Sequence, residues 1–352
     1  MGCPMKLQFR RFDLKLTRTW RIASGLGGEG TNTYGIVFVE LSDDQGRSGI
    51  GEAASTDRYE QPVEVIEAFL RKVDASRLSF DDVSGSMKYL DTAAAGNDSA
   101  KCAINIALLD GATKAAKLSI YDFLKLGFTE KKHVTSFSIG IDTPDVIREK
   151  VREADCYPVL KLKIGSPDDR ANLDALREAA PTKPVRVDAN EAWKTKEEAL
   201  RNIEWLHRHG NIQFIEQPMP ATASRADMAW LKERSPMPIF GDESYHHAGD
   251  IDLAEECFHG VNVKLVKTGG ISGAYDALQA ARQRGLKTMI GCMIESSVLI
   301  TAAAHLAELT DHLDIDGNIL ISNDPYAGCT AEKGIISFTS APEQVGLRVK
   351  AR

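Results

Sequence analysis

From Pro158 to Asp316 the chain returns a charged or reactive residue at a nearly constant interval, each on a short apolar run. The series is Lys161 and Lys163 in PVLKLKIG, Asp188 in VRVDAN, Glu216 in IQFIEQP and Asp242 in PIFGDES. It continues with Lys264 in GVNVKLVKTGG, Cys292 in TMIGCMIE, and Asp314 with Asp316 in HLDIDG. Successive members lie roughly 22–28 residues apart, the length of one strand, one helix and two short loops. One reactive side chain per βα unit describes a parallel barrel whose site rings one mouth.

The alternation begins near Val134 with SFSIG (136–140) and continues with strands near 159–164, 185–190, 212–216, 238–243, 261–265, 287–293 and 312–316. The intervals hold helical runs, among them 169–179, 196–208, 224–233, 251–257, 272–284 and 297–309. The eighth strand has no helical partner, so the pattern predicts an α/β fold, a (β/α)7β TIM-like barrel. Before it come a strand over 7–16, a glycine-rich segment at 24–30, a hairpin of 34–41 and 48–54 around Asp43-Asp44-Gln45-Gly46, and helices from Pro62 and Ser99. A meander followed by helices is an α+β unit. The expected division is a capping domain over 1–128, the barrel over 129–325, and a segment over 326–352 returning to the capping domain.

Successive strand side chains face opposite ways. Leu160, Leu162 and Ile164 therefore go to the helix layer, and Lys161 and Lys163 to the mouth. The same parity sends Asn262 and Lys264 inward, with Asp188, Asn190, Asp314 and Asp316. Lys267 has the opposite parity and lies past its strand, so Lys264 is the expected functional lysine.

A lone strand-end carboxylate is most often a solvated cap. Asp188, Glu216 and Asp242 on three consecutive strands are another matter, because they would repel strongly without a cation. All-oxygen ligation suits Mg²⁺. Lysines flanking the trio suit acid–base work, with nearby positive charge lowering a lysine pKa toward use.

The bulk properties exclude other classes. With 43 Lys+Arg against 50 Asp+Glu the formal charge is −7, which argues against nucleic-acid binding. The six cysteines show no CxxC, no apolar run approaches a membrane span, and the N-terminus has no apolar core of a signal peptide. The expectation is a cytoplasmic protein acting on a small molecule, with a homo-oligomer compatible and no membrane partner.

With these residues in place the chain resembles the enolase superfamily, in particular its muconate-lactonizing-enzyme subgroup. The resemblance spans nearly the whole chain and is carried by Gly49-Ile50-Gly51-Glu52-Ala53, Lys161-Leu162-Lys163, Asp188-Ala189-Asn190, Glu216-Gln217-Pro218, Asp242-Glu243-Ser244 and Asn262-Val263-Lys264. Within the subgroup, Gly291-Cys292-Met293-Ile294-Glu295 and Asp314-Ile315-Asp316 look like the dipeptide epimerases. That likeness implies Mg²⁺ on Asp188, Glu216 and Asp242, and Lys163 and Lys264 exchanging the Cα proton through an ene-diolate. It also implies a carboxylate contact from Lys161, an ammonium anchor at Asp314 and Asp316, and pocket walls at Cys292 and Met293. Asn190 and Glu243 would orient ligands. Relatives acting on Ala-Glu carry an Arg in the mobile capping loop. The matching position here is Gly25, with Arg18 and Arg21 just before the loop, so a small or apolar dipeptide is at least equally expected. Other reactions of the subgroup (o-succinylbenzoate synthesis, N-acylamino-acid racemisation, cycloisomerisation) and a non-catalytic binder are the alternatives. The DxD pair argues against the former, and the intact lysines and carboxylates together argue against the latter.

Overall fold

Strand β1 (Lys6–Trp20) pairs antiparallel with β2 (Thr31–Ser42), which pairs with β3 (Ser48–Ala54). The computed structural model describes residues 5–23 and 30–352. The hairpin turns where its sequence demands: Asp43 Oδ1 accepts from Gln45 N and Arg47 N, and Gly46 takes φ 78°. Beyond Lys15, β1 slips out of register with β2 and meets the barrel instead, Thr17 N donating to Leu320 O at 2.9 Å. The strand is therefore longer than its alternation suggests, because its far end has a second partner.

Helices α1 (Val63–Leu70), α2 (Val83–Ala93), α3 (Asp98–Ala115) and the single turn α4 (Ile120–Phe123) complete this unit. A Cβ at Gly49 or Gly51 would collide with Ala107 O or Ala103 O. The two glycines thus let α3 lie directly on the strand backbone, and α3 is buried on almost every side. Helix α2 is not signalled in the sequence, because only Ser86 and Leu90 of it are buried.

Eight parallel strands follow in ring order: β4 (Phe137–Ile139), β5 (Leu160–Lys163), β6 (Val185–Asp188), β7 (Ile212–Glu216), β8 (Ile239–Gly241), β9 (Gly260–Lys264), β10 (Lys287–Gly291) and β11 (His312–Asp314). A Thr135–Leu313 bridge closes the ring. Between the strands run α5 (Pro144–Glu153), α6 (Asp169–Ala179), α7 (Lys196–Arg208), α8 (Arg225–Arg234), α9 (Ile251–Cys257), the one-turn α10 (Leu265–Thr268) with α11 (Ile271–Gln283), and α12 (Ser297–Ala304). The strands and helices fall where the apolar runs place them, and the (β/α)7β barrel stands. Its floor is a plug of Phe214, Phe240 and Met289, with the two phenyl rings stacked at 4.2 Å. Above that plug the inward positions include Lys161, Lys163, Asp188, Glu216, Asn262 and Lys264, with Gly291 leaving room for Asn262.

The chain ends back on the first unit. Leu347 N donates to Asp110 Oδ1 at 2.7 Å and Ile120 N to Gly346 O at 3.1 Å. Among the described residues no helix is long and apolar enough to cross a membrane.

Candidate active site

Ring order decides which residues face one another. Lys163 ends the second barrel strand and Lys264 the sixth, so they stand diametrically opposed. Asp188, Glu216 and Asp242, at the ends of the third, fourth and fifth, fill the arc between them. Asp314 and Asp316, at the eighth, occupy the other arc.

The charges are tightly paired. Lys161 Nζ lies 2.5 Å from Asp314 Oδ2, 2.7 Å from Glu216 Oε2 and 3.0 Å from Asp188 Oδ2. Lys163 Nζ is 2.6 Å from Asp188 Oδ2, and Lys264 Nζ is 2.7 Å from Asp242 Oδ2. The second oxygens are oriented from the flanks: Asn190 N donates to Asp188 Oδ1 and Asn262 Nδ2 to Glu216 Oε1. Gln217 Oε1 accepts from Asp242 N and Ser244 N, fixing the turn that carries Asp242. Ser136 Oγ donates to Asp314 Oδ1 at 2.6 Å, and Ser138 N to Asp316 Oδ2 at 2.6 Å.

Two expectations need correction. Lys267, set aside on parity, belongs to this centre. It sits on α10, and its side chain folds back beneath Asp242, donating to Oδ1 at 2.6 Å and to the carbonyls of Asp242 and Asn262. Strand parity fails there because the strand has already become a helical turn. The lysines are also not uniformly lowered. Burial pulls Lys161 and Lys264 down, but the carboxylates against them outweigh it and hold both well above the usual lysine range.

A cation fits this set on charge grounds. Six buried carboxylates (Asp188, Glu216, Asp242, Glu243, Asp314, Asp316) face Lys161, Lys163, Lys264 and Lys267, so the acids lead by two. Arg186, lower on β6, donates to Leu313 O and Ser136 Oγ and offsets only part of that excess. Without a further cation the excess falls on the acids. Burial, then Asp188, raises Glu216 to about 7; burial, then Asp242, raises Glu243 to about 8; burial, then Asp314, raises Asp316 to about 7. An oxygen-only set that is short of positive charge is the chemistry a hard divalent ion satisfies. Among the described residues no three acids already stand together as a cage, since ammonium groups lie between them.

A cavity of 710 Å³ opens over these groups. Lys161, Lys163, Lys264, Asn190, Glu243, Cys292, Met293, Asp314 and Asp316 line it, whereas Asp188, Glu216 and Asp242 lie below its surface. Cys292 Sγ is 4.0 Å from Asp316 Oδ1, and Met293 Sδ is 3.9 Å from Lys264 Nζ, so both shape the wall beside charged groups. The capping domain supplies the roof, including Trp20, Ile22, Tyr34, Arg58 and Tyr59, which no barrel periodicity could reveal. Arg21 also lines the cavity. Arg18 instead pairs with Glu149 and Glu153 on α5, outside the site. Gly25 lies outside the described residues.

Comparison with known proteins accords with this geometry. The family described as "Enolase C-terminal domain-like" matches residues 146–336, and "Mandelate racemase / muconate lactonizing enzyme, N-terminal domain" matches residues 18–125. The L-Ala-D/L-amino acid epimerase of Pedosphaera parvula (strain Ellin514) is 62% identical over 348 residues, covering 99% of this chain and 100% of its own. The substrate-liganded L-Ala-D/L-Glu epimerase of Bacillus subtilis superposes with a TM-score of 0.91 at 26% identity, covering 100% of this chain and 99% of that one. The dipeptide epimerase of Enterococcus faecalis V583, solved with Mg and L-Leu-L-Tyr, gives 0.88 at 27% identity, covering 99% and 100%.

Proposed function

Because this chain belongs to the enolase superfamily, in its mandelate racemase/muconate lactonizing enzyme branch, we propose that its mouth site inverts the Cα of a dipeptide's C-terminal residue. The protein is an isomerase, a dipeptide epimerase that uses Mg²⁺. One observation carries the assignment of roles: Lys163 and Lys264 face each other across the ring, with an acidic arc on either side.

A planar reacting carbon held between opposed amines can lose a proton to one face and gain it from the other. Lys264, kept protonated by Asp242, is the ready donor, and Lys163 serves the opposite face. Asp188, Glu216 and Asp242 would hold the Mg²⁺, which supplies electrostatic stabilisation of the charge that builds on the substrate carboxylate. Lys161 would contact that carboxylate, and its ion pairs to Asp188, Glu216 and Asp314 hold those side chains in place. Asp316, with Asp314 beside it, receives the substrate ammonium through charge-assisted hydrogen bonds.

Among the described residues the arginines on the cavity wall are already paired, Arg58 with Glu191 and Arg21 with Asp142 at 3.6 Å. That favours small or apolar C-terminal residues over Glu. The thiols of Cys102, Cys156, Cys257, Cys292 and Cys329 are free, which supports a reducing, cytoplasmic setting.

The test is deuterium incorporation in D₂O with Mg²⁺ over a library of L,L-dipeptides, read by mass spectrometry. Exchange at the C-terminal Cα in a subset is the expected result. Exchange confined to N-acyl amino acids or diacids would overturn the epimerase reading.

A further inference from the structure

The loop between β3 and α1 is built as a hook. Thr56 and Gln61 pair across it, Glu60 turns it with φ 56°, and Gln61 Oε1 accepts from Ser99 N at 2.8 Å, tying it to α3. At its tip Arg58 makes a two-pronged ion pair to Glu191, Nε to Oε2 at 2.6 Å and Nη2 to Oε1 at 2.7 Å. Glu191 belongs to the barrel loop that follows Asp188, sits at φ 65°, and also accepts from Ala221 N. A forked pair of this kind fixes both position and direction. Glu191 N donates to Gln217 O at 2.9 Å, so its left-handed backbone is fixed within the barrel while its side chain reaches across to Arg58.

The residue seated by that pair is Tyr59. Its ring meets His246 edge-on at 5.2 Å and lies under Arg58. Tyr59 and Lys264 line the same 710 Å³ cavity; burial, then Asp242, raises the phenol. Arg58 and Tyr59 line the 710 Å³ cavity, and they also line a second one of 450 Å³ bounded by Gln61, Asn97, His246 and Lys267. The hook is therefore the partition between the two spaces.

We propose that Arg58 and Glu191 latch Tyr59 in place as the wall of the substrate cavity beside Lys264, and that this wall sets the size of side chain admitted on the reacting carbon. The inference rests on the dipeptide reading above. Tyr59 is a specificity-determining residue, and Glu191 is a positioning residue acting through Arg58. Removing the ring joins the two cavities and opens space for larger residues, while a loosened latch lets the ring wander and weakens selection.

The experiment measures Cα exchange over L-Ala-L-Xaa, with Xaa running from Ala to Trp, in the parent, Tyr59→Phe, Tyr59→Ala and Glu191→Gln proteins. The parent rank order is expected to persist in Tyr59→Phe. The ratio of kcat/KM for the largest to the smallest side chain should rise by about tenfold in Tyr59→Ala. In Glu191→Gln it should rise in the same sense, with KM moving more than kcat. Should Tyr59→Ala fail to fold, Tyr59→Leu carries the same expectation. Unchanged ratios in folded, active variants would overturn the latch. No exchange of any dipeptide by the parent would overturn the reading beneath it, a distinguishable result.

Discussion

Lys163 and Lys264 rise from strands four apart in a closed ring of eight, so one amine faces the other across the barrel mouth. Each is ion-paired to its own carboxylate, Asp188 or Asp242, and no acid bridges the two in these contacts. Opposed bases with separate partners would work on opposite faces of a planar carbon held between them. Lys163→Ala and Lys264→Ala should each cut inversion by about 10²–10⁴-fold, the usual worth of a positioned acid or base. Each variant should still exchange the Cα proton of one epimer, and the two should retain opposite epimers. Proton NMR of L,L and L,D dipeptides in D₂O distinguishes this from a one-base mechanism, in which one variant would lose both exchanges.

Lys267 predicts a different phenotype. Its ammonium is fully buried and satisfies Asp242 Oδ1 and two backbone carbonyls. Lys267→Met leaves a buried carboxylate short of one cation and those carbonyls without a donor. Breaking such a pair from one side costs about 3–5 kcal/mol. Urea denaturation should show that loss in metal-free protein. Mg²⁺ should restore more stability to the variant than it adds to the parent, because the ion meets a less compensated acid.

How far the site could be read from the chain follows from these same residues. Lys161, Asp188, Glu216 and Lys264 were legible because a strand has a period of two and a barrel repeats its unit, so sequence position translates directly into direction and ring order. Lys267 was not, since α10 begins immediately after Lys264 and the period changes within one turn. Ser136 and Ser138 carry no charge to mark them, although they hold the DxD pair. Arg58 and Tyr59 reach the cavity only through domain docking, a contact spanning 133 residues between Arg58 and Glu191, for which local patterning has no signal.

The tail provides a pH prediction away from the catalytic groups. His305 is 1% exposed; its Nδ1 faces the Tyr121 N–H at 3.2 Å and its Nε2 lies 3.1 Å from Leu347 O. That arrangement fits a neutral ring with the hydrogen on Nε2, and burial lowers its pKa to about 3. An unfolded histidine near 6.5 binds its proton first, so the unfolded state gains protons as pH falls below 6.5 and folding stability drops. Between pH 6 and 4 the slope from this one group should be about 1.4 kcal/mol per pH unit. His305→Gln, which can offer an acceptor and a donor without titrating, should flatten that part of the stability–pH curve measured by denaturant titration.

Metal removal should expose the charge excess at the mouth. Glu216 and Asp316 are raised to about 7 and Glu243 to about 8, all far above the ordinary carboxylate range, with burial the first cause in each. Between the unfolded carboxylate pKa and these values the folded, metal-free protein binds more protons than the unfolded chain. Its stability should therefore fall as pH rises from about 5 to 8, a trend opposite in sign to that of His305. A divalent ion answers the same excess without protons, so Mg²⁺ binding near pH 6.5 should release protons, and at pH 9 it should release few. Calorimetry in buffers of differing ionisation enthalpy measures that number. Metal binding without proton release at pH 6.5 would mean that Glu216, Glu243 and Asp316 are already ionised in the metal-free protein, and that the charge argument for the ion is wrong.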